Sequence, residues 1–408
     1  MNSRIYTITK QKEKIYSFLL QDGKAVEIHC DEAVTESLLG NIYIGKIKNI
    51  AKNISAAFVE IAPGNVCYLP LDDIKYPVYT QKGTSKLPQA GDELLVQVSK
   101  EAIKSKFPSV TTNITLHGKY VLLTAGNHQI SVSSKLPREK KDELLAFVKE
   151  KESPAGEELQ KERPYGWLVR TNAGTVSMEM LAADMERLSS QYEQLVQQAC
   201  HRTCFSCLYK TPESYLSRLA NLYDSEEVKI LTDDSELYQQ IETYLKSEQP
   251  EDLDKLAFYQ DNLLPMHKLY SLEHQLEQAL SERVWLNSGG YLIIQPTEAL
   301  TVVDVNTGKF EGGKKKEAAF LKINLEAAKE IARQIRLRNL SGIILVDFIN
   351  MKSSESNQEL MRTLDDYLRQ DPVKTVLVDM TKLSLVEITR LKREKPLREA
   401  VYCRKDCT

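Results

Sequence analysis

The sequence predicts a multidomain protein that mixes α+β and α/β architecture, and three observations carry that reading. Residues 38–118 hold short apolar runs separated by turn residues, the pattern of a small β-barrel. Residues 301–347 give a β-rich run, a long amphipathic segment and a second β-rich run, the pattern of a strand–helix–strand unit with its strands parallel. At 408 residues the chain suits about two to four domains, and its 42% of hydrophobic residues suffices for sizeable cores.

Composition excludes several classes. The formal net charge is −3, so any nucleic-acid surface must be local rather than global. There is no apolar run of about 18 residues, so no transmembrane helix and no membrane association is expected. The start, Met1-Asn-Ser-Arg-Ile-Tyr6, lacks the apolar centre of a signal peptide. Seven cysteines without a framework spacing suit a reducing compartment, and a cytoplasmic protein is expected.

Residues 1–37 alternate in short runs with Gly23 at a turn, an antiparallel meander. It is too short to fold alone, so it should complete a sheet formed later in the chain. Residues 38–118 supply about five strands, an OB-fold barrel. Residues 119–206 give strands near 120–123, 129–134 and 166–169, a charged helix over 137–151 and another over 178–198. The stretch between, 152–164, is polar, with turn signals at Ser153, Pro154 and Gly156. Residues 207–280 give β-like runs at 207–209 and 228–232, helical stretches near 214–223 and 235–246, and a helix over 267–280. Leu269, Leu272, Leu276 and Leu280 fall on one face of that last helix. Residues 284–294 form a hairpin-like entry to a final sheet. Cys200, Cys204 and Cys207 with His201 suggest zinc, but no second pair follows at matching spacing, and small apolar packing is the expected role.

The stretch from Thr301 to Met351 carries the chemistry. Asp304 and Asn306 are two apart, so on a strand they share one side while Val303 and Val305 enter a core. Asp347 closes the apolar series 343–346. Buried carboxylates are costly, so each aspartate should have a partner. The amphipathic segment 317–338 places Leu321, Leu325, Ala328, Ala332 and Ile335 at helical spacing, with Asn339 at its end. A crossover of this length could set Asp304 and Asp347 near each other with Asn306 beside them, a set of hard oxygen donors suited to Mg²⁺ or Mn²⁺. From Lys309 to Arg338 there are nine Lys or Arg against four Glu, and the loop carries Gly308, Gly312, Gly313 and Lys314 to Lys316. A metal beside a basic loop suits a phosphate-backbone substrate. The alternative is two aspartates satisfied by backbone or arginine.

Residues 304–310, Asp-Val-Asn-Thr-Gly-Lys-Phe, together with 324–338, 342–349 and 385–390, resemble the catalytic region of the ribonuclease E/G family. The resemblance implies a hydrolytic endoribonuclease acting on single-stranded RNA in RNA processing and decay. It implies that Asp304 and Asp347 bind catalytic Mg²⁺ and that Asn306 supports them. It further implies a ribonuclease-H-like subdomain split between 1–37 and 207–280, an inserted RNA-binding OB-fold over 38–118, and a 5′-sensor over 119–206. A deoxyribonuclease-I-like catalytic subdomain follows over 281–400. Phe58 and Tyr68 match base-stacking aromatics, against the alternative that both are barrel core, and Lys106 matches a basic contact. Arg170 and Thr171 match a pocket for an RNA 5′-monophosphate, with Ser133 and Lys135 lining it; the alternative for Arg170 is an ordinary ion pair. Basic residues of 314–316 and 390–398 would contact the RNA backbone.

Two departures from the family pattern stand out. Asn350 occupies a position where the family has Asp; on a strand it would face away from Asp347. The tail 401–408 ends with Cys403 and Cys407 three residues apart and no proline, a vestige of the family's zinc link. Zn²⁺ at those cysteines, and the homodimer that shared zinc would join, stay open. Two other function classes compete: an RNA-binding protein without catalysis, built on the OB-fold, and a DNA endonuclease. Intact Asp304, Asn306 and Asp347 weigh against the first. The barrel aromatics and the Arg170–Thr171 step weigh against the second.

Overall fold

The computed structural model describes residues 4–33, 37–85, 87–102, 107–152, 164–222, 228–308 and 316–402. They form two compact units. The first comprises Met1–Ala33, Glu226–Thr243 and Asp252–Thr408, the second Val34–Ser225 and Tyr244–Glu251. No helix among the described residues is long and apolar enough to cross a membrane.

In the first unit the Arg4–Gln11, Lys14–Gln21 and Lys24–Glu32 strands form an antiparallel meander. Asp22 and Gly23 both have positive φ, which suits the tight turn that closes its second hairpin. The meander does not stand alone. Arg4–Gln11 pairs in parallel with Val228–Thr232, which pairs in parallel with Leu256–Phe258, giving one five-stranded sheet. Phe18, Leu20 and Ile28 of this sheet are buried with Leu272, Ala279 and Leu337. The helix expected over 267–280 is instead two helices, Met266–Leu269 and Leu272–Leu280. Ser271 between them adopts a left-handed conformation, which breaks the helical run and leaves Leu269 exposed.

The second sheet of this unit has six strands in the order Arg283–Trp285, Tyr291–Pro296, Leu300–Asn306, Gly342–Asp347, Leu385–Arg390 and Thr375–Met380. Leu300–Asn306 and Gly342–Asp347 are parallel neighbours, joined by the Lys316–Leu337 helix. One face of the sheet buries Leu292, Ile294, Val303, Val305, Ile344, Val346, Val386 and Ile388 against that helix and Ser354–Leu368. Each fully buried side chain of this size is worth roughly 1.5–3 kcal/mol in transfer free energy. The helix turns Ile323, Ala327, Ala328, Ile331 and Ile335 inward, while Leu321, Leu325 and Ala332 are only half-buried. The buried stripe is therefore rotated from the one expected, because the helix also packs against the Lys24–Glu32 strand through Arg333 and Arg336. Asn339 ends it in the left-handed conformation that asparagine tolerates best among larger residues.

In the second unit Ile42–Ala51, Ala56–Ala62, Asn65–Pro70, Ser109–Thr111 and Glu93–Lys100 pair in succession. The last pairs back onto the first, closing a five-stranded OB-like barrel. Closure removes the sheet edges. Ile47, Val59, Ile61, Leu69, Leu94, Val96 and Val98 fill the barrel. A four-stranded sheet, Thr115–His117, Val121–Ala125, Tyr165–Val169 and Ile130–Val132, packs with the Met178–Ala199 helix. Their shared core includes Leu123, Trp167, Val169, Leu181 and Leu188.

Candidate functional site

Asp304 and Asp347 are direct partners in the parallel register of the six-stranded sheet. Adjacent strands lie about 4.8 Å apart, so the two carboxylates emerge side by side on one face. Asn306 shares that face, and its Nδ2 donates to Oδ2 of Asp304 at 2.7 Å. Alternation works as the sequence demands: Val303 is 1% exposed while Asp304 on its flank is open to solvent. The expectation of buried aspartates needs correcting, while Asp304 does have a partner, in Asn306. Among the described residues both carboxylates are exposed, so their desolvation cost is small.

Both carboxylates sit at the carboxyl ends of parallel strands, where open α/β sheets bind ligands. Among the described residues no group of three or more His, Cys, Asp or Glu converges. The donor set is two carboxylates and one amide. This fits Mg²⁺ or Mn²⁺, which take one or two carboxylates and keep several waters, and does not fit a closed all-protein cage.

The chain after Asp347 is held in place by contacts that sequence reasoning missed. Asn324 is completely buried; its Nδ2 donates to the Ile349 carbonyl at 2.8 Å and its Oδ1 accepts from the Ile349 amide at 3.1 Å. Oε1 of Glu317 accepts from the amides of Lys352 and Ser353. The strand ends at Asp347, so Asn350 lies beyond it, exposed, and the alternation argument does not apply to that residue. On the other side Gly308 has φ +65°, and a Cβ there would lie 2.2 Å from the Gly289 carbonyl oxygen. A Cβ on Gly290 would meet the Asn306 carbonyl oxygen at 2.7 Å. These two glycines let the hairpin close against the strand that carries the site.

The basic residues divide. Lys314 and Lys315 lie outside the described residues, as does the side chain of Lys316. Arg390, expected at the RNA backbone, is 5% exposed and takes another role. Its Nε donates to Oδ2 of Asp371 at 2.7 Å, and its Nη1 donates to Asn339 Oδ1 and the Leu340 carbonyl. A buried cation needs such a partner, and Arg390 is therefore a structural ion pair. It also pairs with Gly342, at the opposite end of the strand from Asp347.

Phe58 and Tyr68 are cross-strand partners on the outside of the barrel, with ring centroids 6.4 Å apart. The barrel-core alternative is thereby removed, since Val59, Cys67 and Leu69 point inward instead. Phe107, unnoticed in the sequence, adds a third ring 5.8 Å from Phe58 and is 57% exposed. Its signal was its place in the sequence next to Lys106, which itself lies outside the described residues. In the same unit, Arg170 donates through Nη1 to the Gly118 carbonyl at 2.9 Å and through Nη2 to Asn221 Oδ1. Thr171 Oγ1 lies 2.7 Å from Ser133 Oγ, and Lys135 is exposed two residues further on. Ser133, Arg170 and Thr171 thus come together at one end of the Tyr165–Val169 strand.

Cys200 and Cys207 are exposed, contrary to the apolar packing expected, and each thiol contacts a nearby carbonyl of its own segment. Cys403 and Cys407 lie outside the described residues.

Comparison with known proteins shows which family the chain resembles. A profile of the Ribonuclease E/G family matches residues 115–393. Ribonuclease G of Haemophilus influenzae is 32% identical over 395 residues, covering 94% of this chain and 78% of that protein. Ribonuclease G of Escherichia coli K12 is 32% identical over 394 residues, with the same coverage of 94% and 78%. Ribonuclease E of Nostoc sp. PCC 7120 is 33% identical over 370 residues, 88% of this chain and 52% of that protein. The chain belongs to the ribonuclease E/G family.

Proposed function

We propose that the chain is a divalent-metal-dependent endoribonuclease that hydrolyses single-stranded RNA to 5′-phosphate and 3′-hydroxyl ends. The observation that carries this reading is the register pairing of Asp304 with Asp347, two carboxylates on an uncovered sheet face with Asn306 hydrogen-bonded to the first. Asp304 and Asp347 would hold Mg²⁺, and Mn²⁺ could replace it. An ion held there would supply charge neutralisation at the attacked phosphate and a more acidic water. Asn306 fixes the orientation of the Asp304 carboxylate through its amide. Asn324 and Glu317 hold the backbone beyond Asp347. Water attacks phosphorus in line and the bond to the 3′ oxygen breaks; one proton of the water passes to solvent, and the leaving 3′ oxygen takes one from solvent. None of the six histidines lies on a strand of this sheet.

Phe58, Tyr68 and Phe107 would stack unpaired bases, and Arg170 with Thr171, Ser133 and Lys135 would receive a 5′-monophosphate. The subdomain division into ribonuclease-H-like, OB, 5′-sensor and deoxyribonuclease-I-like parts belongs to the same proposal. The test is to incubate the protein with end-labelled single-stranded RNA and DNA of one sequence, with Mg²⁺ or with EDTA. Cleavage of RNA alone, only with Mg²⁺, is expected. Equal cleavage of DNA, or RNA cleavage that survives EDTA, would sink the reading.

A further inference from the structure

The uncovered face that carries Asp304 and Asp347 continues to the edge of the six-stranded sheet, and its last two strands carry residues that the mechanism does not use. Tyr291 pairs with Asn306 across one strand boundary, and Trp285 pairs with Tyr291 across the next. Arg283 pairs with Ile293, which in turn pairs with Asp304. Two rows therefore run from the edge to the site: Trp285, Tyr291, Asn306 in one, and Arg283, Ile293, Asp304, Asp347 in the other. Each row spans two strand spacings from its edge residue to the central strand, roughly 10 Å.

The chemistry of the edge is unusual for a surface. Trp285 is 65% exposed, although burying so large a ring would be favourable. Its ring lies 5.3 Å from that of Tyr291, tilted by 59°. The Arg283 guanidinium sits 4.6 Å from the Tyr291 ring and 5.6 Å from the Trp285 ring. A wide open indole beside a cation is what one nucleotide needs, a π-face for the base and a fork for the phosphate. The patch is also continuous with the carboxylate pair, on a face whose substrate must be a strand of nucleotides.

We propose that Trp285, Tyr291 and Arg283 form a nucleotide subsite for the strand held at Asp304 and Asp347. Trp285 stacks one unpaired base, Tyr291 backs the indole, and Arg283 contacts the adjoining phosphate. The subsite rests on the proposed function, in that its occupant is the RNA cleaved at the aspartate pair. It is separate from the barrel aromatics, which belong to the other unit. Stacking on a single ring tolerates any base, so the subsite fixes the position of the strand relative to the cut rather than the sequence read.

The chain has two tryptophans, and Trp167 is only 3% exposed, so a fluorescence change on RNA binding reports Trp285. Wild type, Trp285→Phe and Trp285→Ala are titrated with single-stranded RNA in EDTA, which keeps the RNA whole under this mechanism. Saturable quenching is expected in wild type and none in Trp285→Phe. The dissociation constant should rise on the order of ten- to a hundredfold in Trp285→Ala and much less in Trp285→Phe, which keeps a ring. An RNA with one abasic ribose, moved along the strand, should lose the quenching at a single place beside the cut. The proposal is overturned if RNA binds without quenching, if wholly abasic strands quench equally, or if Trp285→Ala binds and cleaves as wild type does. Quenching that follows protein concentration without RNA would assign the patch to a second copy of the chain and overturn it too. Failure of wild type to cleave with Mg²⁺, with quenching intact, would instead remove the metal reading and leave this subsite standing.

Discussion

The two faces of the six-stranded sheet carry alternate residues of the same strands and do opposite work. Val303, Val305, Ile344 and Val346 face two helices and are buried; on the other face Asp304 and Asp347 are exposed and Asn306 is half-buried. The covered face supplies burial free energy. The open face supplies donors whose mutual repulsion the fold tolerates because solvent screens it. Like charges directly opposite on neighbouring strands destabilise a sheet. A face that keeps two such aspartates in register is therefore shaped by something other than stability.

The largest expected effect tests that division. Asp304→Asn or Asp347→Asn should lower Mg²⁺-dependent cleavage by about a thousandfold or more, since several kcal/mol of charge stabilisation are lost. Melting temperature without metal should hold or rise slightly, because one of two facing charges is gone, and RNA binding should persist. A cleavage rate near wild type in either variant would end the assignment. The mirror experiment lies three residues before Asp347, on the same strand. Ile344→Ala on the covered face should cost about 2–5 kcal/mol in denaturant unfolding, while the folded fraction cleaves at the normal rate. If Ile344→Ala removed activity without loss of stability, the two faces would not divide as described.

The barrel repeats the contrast on a smaller scale. Phe58 and Tyr68 face outward while their neighbours Val59 and Leu69 are buried. Phe58→Ala or Phe107→Ala should weaken RNA binding by about 1–3 kcal/mol with little change in melting temperature. Binding loss that merely tracked unfolding would return these rings to a packing role. The two arginines sharpen the point for charge. Arg390 is buried against the Asp371 carboxylate, whereas the hydrogen bonds that Arg170 makes to Gly118 and Asn221 are to neutral oxygens. Arg170→Ala should remove any preference for RNA with a 5′-monophosphate over a 5′-hydroxyl and leave slow cleavage of the latter unchanged. The check is the ratio of the two rates in wild type and variant; an unchanged ratio would mean that this pocket does not sense RNA ends.

Much of the site was legible because it rests on local periodicity. The spacing of Asp304 and Asn306 fixes a shared face, and a crossover of this length makes a parallel pair. The register that sets Asp304 against Asp347 was not legible, since it depends on where two strands meet. Nor could sequence show that Arg390 is a structural ion pair, because tertiary packing decides that its partner is Asp371. The break at Ser271 escaped notice because the apolar spacing runs unbroken through it. The aromatic edge at Trp285 and Tyr291 looked like an ordinary hairpin until the pairing aligned it with Asn306.

The central claim is that Asp304 and Asp347 form a single divalent-metal site. It is tested most directly by titrating Mn²⁺ into the metal-free protein and following free Mn²⁺ by electron paramagnetic resonance. The account predicts one saturable site in wild type and in Ile344→Ala, displaced by Mg²⁺, and lost in both Asp304→Asn and Asp347→Asn. Undiminished Mn²⁺ binding in either aspartate variant would contradict it.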